Sequence, residues 1–301
     1  MSSRELVVLG TAGQSPTRGR SQSSYVLRWL DQLMVFDPGE GTQRQLLFTD
    51  VHTSRINRVF ISHFHGDHCL GLPGLVQRRR LLGATKALHL HYGDWGEDSM
   101  ARLLSGAEID FDLGLEHHPH QPGSTLEVDG LAITGLALDH TTKSIGWRLE
   151  EPEEVHLLPH RLAELGLSGP EAGSIKSDGR IEHEGQVIEL SEVSEVRAGR
   201  SFAFVMDTRL CDNAARLARG VDLLVCESTY LSSDAQRAHD NGHLTVAQAA
   251  QLAADAGVGQ LVLSHFSERY DDLEPFESEA GEIFPNVVVA RDLDVIAVSA
   301  R

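Results

Sequence analysis

Only three cysteines occur in 301 residues, Cys69, Cys211 and Cys226, and no two are spaced as a metal knuckle. An odd and sparse cysteine set excludes a disulfide framework and points to reduced thiols. Long apolar runs are missing as well. The longest stretches, such as Phe202 to Met206, fall far short of the ~20 residues that span a bilayer. The first ten residues, MSSRELVVLG, have the pattern of a short strand and not that of a signal peptide. The expected compartment is therefore the cytoplasm. Basic residues are few: 26 Lys and Arg stand against 44 Asp and Glu, a formal net charge of −18. Such acidity disfavours nonspecific attachment to nucleic acid. Repeats and low-complexity tracts are absent.

What is present is an ordinary globular composition, 41% apolar and 23% charged. The length suits one large α/β domain or two smaller ones. Short apolar strands alternate with turns over the first third. Tyr25 to Trp29 and Leu33 to Phe36 read as a hairpin pair. Asp37-Pro38-Gly39-Glu40-Gly41 reads as a turn, and helices follow over Gln43 to Leu47 and Gly71 to Leu82. Strands are expected at Leu88 to Tyr92, Ile133 to Leu138, Ser201 to Met206, Val221 to Cys226, Leu261 to Ser264, Val287 to Ala290 and Val295 to Val298. Thr245 to Ala256 reads as a helix ended by Gly257. Residues 152–198 differ: Gly, Glu and Ser are frequent and apolar runs short, which marks an arm or insertion. Mixed strands and helices in both halves fit a two-sheet sandwich covered by helices.

Four of these strands deliver a metal-competent side chain at the C-terminal end. Arg58 to Ser62 leads to His63, Ile133 to Leu138 to His140, Phe202 to Met206 to Asp207, and Leu261 to Ser264 to His265. Sites in α/β folds collect at such ends. The densest segment is His63-Phe64-His65-Gly66-Asp67-His68. In extended chain His63 and His65 share a side, Gly66 permits a tight turn, and Asp67 and His68 open the next helix. Zinc takes nitrogen and oxygen donors, about four per ion. His63, His65, Asp67, His68, His140, Asp207 and His265 make seven, enough for two ions if one carboxylate bridges. Other histidines carry less. His117, His118 and His120, near Pro119 and Pro122, read as a solvated loop, and His89 and His91 as structural residues on a strand. His52, His156, His160, His183 and His239 carry no signal.

The His63–His68 segment resembles the signature of the metallo-β-lactamase superfamily. A longer series narrows the resemblance: Phe36-Asp37-Pro38-Gly39-Glu40-Gly41-Thr42-Gln43, Gly71-Leu72-Pro73-Gly74-Leu75, Ile145-Gly146-Trp147-Arg148, Met206-Asp207-Thr208-Arg209, Glu227-Ser228-Thr229-Tyr230, Gly242-His243-Leu244-Thr245 and Ser264-His265-Phe266-Ser267. In this order they resemble the ribonuclease Z family, endonucleases that trim the 3′ trailer of precursor tRNA. The resemblance implies one αββα four-layer sandwich domain over 1–301, with 152–198 inserted in it as an arm.

The same resemblance implies two zinc ions per chain. His63, His65 and His140 would hold one, and Asp67, His68 and His265 the other, with Asp207 bridging. Asp67 would also orient the attacking water, and His243, supported by Glu227, would protonate the leaving 3′ oxygen. His243 could instead partner the N-terminus of the helix that starts near Thr245. Gly169 and Pro170 match the arm that grips tRNA, and the family implies a homodimer. Arg20 and Arg78, with Arg18, Arg79 and Arg80, are the candidate phosphate contacts. Three departures stand out, the first that Arg20 is followed by Ser21 where the family commonly carries an Arg-Asn pair. Glu227-Ser228-Thr229 replaces the commoner Glu-Ala-Thr, and residues 153–198 hold ten acidic residues against four basic ones. The alternatives are a phosphodiesterase acting on small esters and a non-catalytic zinc-dependent RNA-binding protein.

Overall fold

A computed structural model describes residues 4–106 and 114–299. Contacts divide the chain into two units. One comprises Met1–Leu126, Ile133–Leu149 and Ser201–Arg301, the other Glu127–Ala132 and Glu150–Arg200.

The first unit is built on two seven-stranded sheets. In the first, the order is Val295–Ala297, Arg4–Gly10, Ser24–Trp29, Gln32–Phe36, Arg58–Phe60, Leu88–Gly93 and Leu115–His120. The expected hairpin is present, with Tyr25 opposite Phe36 and Leu30 in the left-handed region at the turn. The last four strands run parallel. In the second, the order is Val287–Val289, Gln260–Ser264, Leu223–Glu227, Ser201–Val205, Ser144–Glu150, Leu131–Leu138 and Thr125–Val128. Its first four strands are parallel. Parallel strands are covered on both faces, so they read as unbroken apolar runs, as Leu223-Leu224-Val225-Cys226 does.

Alternation along the strands sorts side chains into layers. Phe202 and Phe204 point to the partner sheet, where Phe36 meets them at 5.2 and 5.0 Å between ring centroids. Tyr25 reaches Phe204 at 5.3 Å, and Phe60 meets Trp147 at 5.3 Å. This aromatic layer is the middle of the sandwich. Ala203 and Val205, one residue out of phase, join the opposite layer with Leu217 of helix Asp212–Ala218, Leu252 of helix Val246–Ala256 and Phe276 of helix Glu274–Ile283. On the far side Val35, Val59 and Leu90 pack with Leu72 and Leu75 of helix Leu72–Leu81 and with Met100 of helix Glu97–Leu104. The layers therefore run helix, sheet, sheet, helix. Truncating Phe36 to Ala would cost about 3–5 kcal/mol.

The helix from Val246 is closed at both ends by local chemistry. Thr245 and Gln248 form a capping box at its start, and Gly257 ends it at φ +64°. The second unit is small. Glu154–Leu157 pairs with Ser194–Arg197 and Arg180–His183 with Gln186–Glu189. Helices Pro159–Glu164 and Gly169–Asp178 accompany them, and Leu167, Ile175, Ile188 and Val193 form its core.

One expectation is corrected. Residues 117–120 are not a solvated loop. They belong to the strand Leu115–His120, and His120 is buried. That strand is the last of its sheet, and an edge position tolerates Pro119 because its nitrogen owes no ladder hydrogen bond.

Candidate metal centre

Three strand ends at the site share a backbone feature. Asp37, Asp207 and His265 follow strands Gln32–Phe36, Ser201–Val205 and Gln260–Ser264, and have φ of +44°, +44° and +62°. Left-handed backbone is costly for residues with a Cβ, and such strain gathers where surrounding structure holds a functional side chain in place. His63 and His65 arrive from the strand Arg58–Phe60, and Asp67 and His68 sit on the short helix Gly66–Cys69. That helix lies against the Asp37–Gly41 turn at backbone contact. A Cβ on Gly39 would lie 2.3 Å from the Asp67 carbonyl oxygen, and one on Gly71 2.1 Å from that of Gly39. The two glycines thus permit the approach that sets Asp37 beside His68.

Seven side chains converge. His63, His65, His140 and Asp207 form one set of donors within 4.8 Å of one another, and Asp67, His68 and His265 form a second. Asp207 faces both. Its Oδ2 lies 3.5 Å from His63 Nε2 and 3.6 Å from His140 Nε2. Its Oδ1 lies 3.4 Å from His68 Nε2 and 3.2 Å from His265 Nε2. Asp67 Oδ2 accepts from the Gln14 backbone N–H at 2.7 Å and lies 3.2 Å from His68 Nε2.

Hydrogen bonds behind the rings fix their tautomers. His140 Nδ1 donates to the Gly242 carbonyl at 2.8 Å, and His68 Nδ1 donates to Asp37 Oδ2 at 2.8 Å. The Ser62 hydroxyl donates to Asp37 Oδ2 at 2.6 Å and so accepts from His63 Nδ1 at 3.0 Å. The Thr229 hydroxyl donates to Glu227 Oε2 at 2.6 Å and accepts from His265 Nδ1 at 2.9 Å. In all four rings Nδ1 is committed to such a bond and Nε2 faces inward, as partners behind metal-ligating histidines arrange.

The donor set fits a pair of cations. His63 Nε2 stands 2.9 Å from His65 Nδ1, and His68 Nε2 stands 3.2 Å from His265 Nε2. A tetrahedral ion with bonds of about 2.0–2.1 Å holds its nitrogen ligands at comparable spacing. The decisive atom is Asp207 Oδ1, which is buried and has no hydrogen-bond donor. A buried carboxylate oxygen without a partner is costly unless a cation meets it. Electrostatics agree. Burial pushes His63 and His140 below the usual histidine range and so keeps them neutral. Burial opposes ionisation of Asp207 and Asp67, yet the surrounding imidazoles hold both carboxylates well below their usual range. For His68 burial is outweighed by Asp207, Asp67 and Asp37, which raise it.

His243 stands at the rim. Its Nδ1 donates to Glu227 Oε1 at 3.0 Å, and its ring is 5.1 Å from His140 and 5.4 Å from His265 between centroids. Burial would lower it, but Glu227 and then Asp207 lift it to about 9. Glu227 is fully buried and also accepts from the Thr208 backbone N–H at 2.7 Å. The following helix is capped by Thr245, so His243 is not its cap. A cavity of about 570 Å³ opens here, lined by His65, Asp67, His140, Asp207, His243 and His265 together with Gln14, Tyr230 and Asn241.

Residues 17–194 match the family model of the Metallo-beta-lactamase superfamily, and residues 175–266 that of the Beta-lactamase superfamily domain. A ribonuclease Z from Nocardia farcinica is 47% identical over 304 positions, covering 100% of both chains. One from Streptomyces coelicolor is 45% identical, again over 100% of each. The chain belongs to the ribonuclease Z family of the metallo-β-lactamase superfamily. A crystal structure of human tRNase Z, short form, superposes with a TM-score of 0.71 at 23% identity, covering 98% of this chain and 99% of that one. The metallo-beta-lactamase fold protein YhfI from Bacillus subtilis gives 0.71 at 18% identity, over 98% and 99%. At these identities both show the fold alone, and it is the sandwich described above.

The remaining candidates lie elsewhere. Arg20 donates to the carbonyls of Tyr270 at 2.7 Å and Ser267 at 3.1 Å, and so ties down the loop after His265. Arg79 is buried and donates to the Lys86 carbonyl, Arg78 is half-buried, and Arg80 is exposed. Neither Arg20 nor Arg78 lines the cavity. Gly169 and Pro170 are exposed in the first turn of the helix Gly169–Asp178, which a Ser168–Glu171 capping box closes. Two residues at the site had no place in the expected set. Asp37 reads in the sequence as part of a turn and of the family series, with no ligand or supporting role, although it too ends a buried strand. Thr229 links Glu227, His243 and His265, and no sequence pattern announces a bridging hydroxyl.

Proposed function

We propose that the chain is a metal-dependent endoribonuclease that removes the 3′ trailer from precursor tRNA. The phosphodiester is hydrolysed to leave a 3′ hydroxyl on the tRNA and a 5′ phosphate on the trailer. The observation that carries this reading is the buried Asp207 Oδ1, without a hydrogen-bond donor, between two inward-facing ligand sets, with the His243–Glu227 pair at the cavity rim. Membership of a family whose members are named ribonuclease Z supports the substrate.

The proposed ions are two zincs per chain, one held by His63, His65 and His140, the other by Asp67, His68 and His265, with Asp207 bridging. When bound, such a pair supplies an activated water near neutral pH and offsets charge on the phosphate. The chain's own residues do the rest. Asp67, held ionised, accepts a proton or orients the water. His243 donates a proton to the departing ribose oxygen, and Glu227 keeps its Nδ1 occupied so that Nε2 is the donating atom. Gly169 and Pro170 of the inserted arm, with Arg20 and Arg78, are the proposed contacts to RNA away from the reacting bond. We take 1–301 as one metallo-β-lactamase-like domain carrying 152–198 as that arm.

A homodimer and a cytoplasmic location complete the proposal. Exposed Leu47, Phe48, Leu81 and Leu82 favour the first, to be checked by the mass in solution. Free thiols favour the second. No helix among the described residues is long and apolar enough to cross a membrane.

The test is incubation with a precursor tRNA and zinc, followed by mapping of the cut. A single cut at the trailer junction that His243→Ala abolishes without loss of zinc supports the reading. Absence of any cut by zinc-loaded protein sinks it. Hydrolysis of small phosphate esters alone would favour the phosphodiesterase, which needs no arm. Cutting that survives deletion of 155–195 would remove the arm from the proposal.

A further inference from the structure

A second group of metal-competent side chains lies outside the cavity, on the edge of the first sheet. Strands Leu88–Gly93 and Leu115–His120 run parallel with His89 opposite Glu116 and His91 opposite His118. Alternation then puts His89, His91, Glu116, His118 and His120 on one face. Leu88, Leu90 and Tyr92 point to the other face and pack with the helices.

The inner part of this ladder is structural. His91 is buried, stacks on Phe60 at 4.5 Å, and lies 3.2 Å from an Arg58 nitrogen and 3.0 Å from His120 Nε2. His120 packs on Trp147 at 5.0 Å. The outer part is different. His89 Nδ1 stands 3.0 Å from His118 Nε2 and 3.2 Å from Glu116 Oε2. The three donor atoms all lie within 4.8 Å of one another, in a group separate from the seven ligands of the principal centre. Their side chains reach solvent, with His89 at 24% and Glu116 at 55% exposure.

We propose that His89, Glu116 and His118 form a third divalent-metal site, for zinc or a similar borderline dication, that clips the edge strand to its neighbour. Two imidazoles and one carboxylate with room for water are the donor set of an open zinc site. Spacings of 3.0 and 3.2 Å are close to those between ligands on one tetrahedral ion. The role is structural. None of the three residues lines the principal cavity, and edge strands are where a sheet needs a closing device.

The test compares the wild type with His118→Ala and Glu116→Gln. Each is dialysed against buffered free zinc, and bound zinc and thermal midpoint are read at every concentration. The wild type is expected to hold one equivalent more than His118→Ala and to gain thermal stability over the same zinc range. Glu116→Gln needs more zinc to fill the same site. All three proteins retain the remaining zinc and cleave precursor tRNA alike. Equal zinc content and equal thermal response in all three overturns the proposal. If His118→Ala loses its cooperative melt, Glu116→Gln alone decides.

Discussion

Asp37→Asn removes one charge, changes almost no volume, and should weaken the metal centre without touching a ligand. Asp37 is buried. Its Oδ1 accepts from the Ser62 backbone N–H at 2.7 Å, and its Oδ2 accepts from the Ser62 hydroxyl at 2.6 Å and His68 Nδ1 at 2.8 Å. An asparagine keeps one acceptor. With its oxygen on the Ser62 N–H, its amide nitrogen faces two groups that were themselves donors. His68 can accept only by moving its proton to Nε2, the atom aimed at Asp67 and Asp207. With the amide reversed, two N–H groups face each other at Ser62. Either way the lone pair of His68 or a buried hydrogen bond is lost. Loss of an outer-shell partner of this kind lowers metal affinity about 10–100-fold, roughly 1.4–2.7 kcal/mol. The φ of +44° is not the cause, because asparagine tolerates the left-handed region. Titration of zinc against a competing chelator measures the effect, and precursor cleavage at saturating zinc measures what remains. An affinity within twofold of the wild type would refute the tautomer argument.

Glu227→Gln should slow cleavage about 10²–10⁴-fold with zinc content unchanged. It should also alter the pH dependence of stability in metal-free protein. His243, lifted from about 6.5 to about 9 in the fold, contributes stability that is complete below pH 6.5 and lost as pH rises through 9. The gap in melting temperature between wild type and variant should therefore narrow across that window; a constant gap would refute the pairing. Gly242→Ala places a Cβ 2.8 Å from His140 Nδ1 at φ +78°, costs about 1–2 kcal/mol in backbone strain, and should lower zinc content by displacing His140; full occupancy would count against that bond. Removing metal with a chelator should weaken binding of an uncleavable precursor as well as abolish the reaction, seen as a rise in Kd by filter binding.

Most of the centre was legible because parallel strands announce themselves. Each of the buried runs Val59-Phe60-Ile61, Phe204-Val205-Met206 and Val262-Leu263-Ser264 is followed closely by a histidine or aspartate, and the fold gathers those ends. The same rule, applied to Met34-Val35-Phe36, leads to Asp37, but the Pro and Gly beside it read as a turn and hid the carboxylate. Thr229 was illegible for another reason. Its partners Glu227, His243 and His265 lie 2, 14 and 36 positions away, and only the tertiary fold brings them together. Pro119 argued against a strand that an edge position permits. Residues 152–198 looked poor in core because four residues, Leu167, Ile175, Ile188 and Val193, suffice for so small a unit.

The charge balance takes a different meaning once the side chains are placed. A chain at −18 must still hold a polyanion, and the expected basic clusters are partly engaged elsewhere. Arg20 is bound to two carbonyls and Arg79 to a third. No Lys or Arg among the described residues lines the principal cavity, and Arg269 is set over the Tyr230 ring at 5.4 Å and lies 3.8 Å from Asp234. Without metal, Asp67 and Asp207 face the cavity, and the raised imidazoles of His68 and His243 offset their charge. Divalent cations held by these residues would add positive charge where the phosphate must sit. Metal binding on this account would help to seat the scissile phosphate as well as to break its bond. Any grip of the acidic second unit on RNA, as proposed for Gly169 and Pro170, must come through neutral backbone and shape, because its charge works against it.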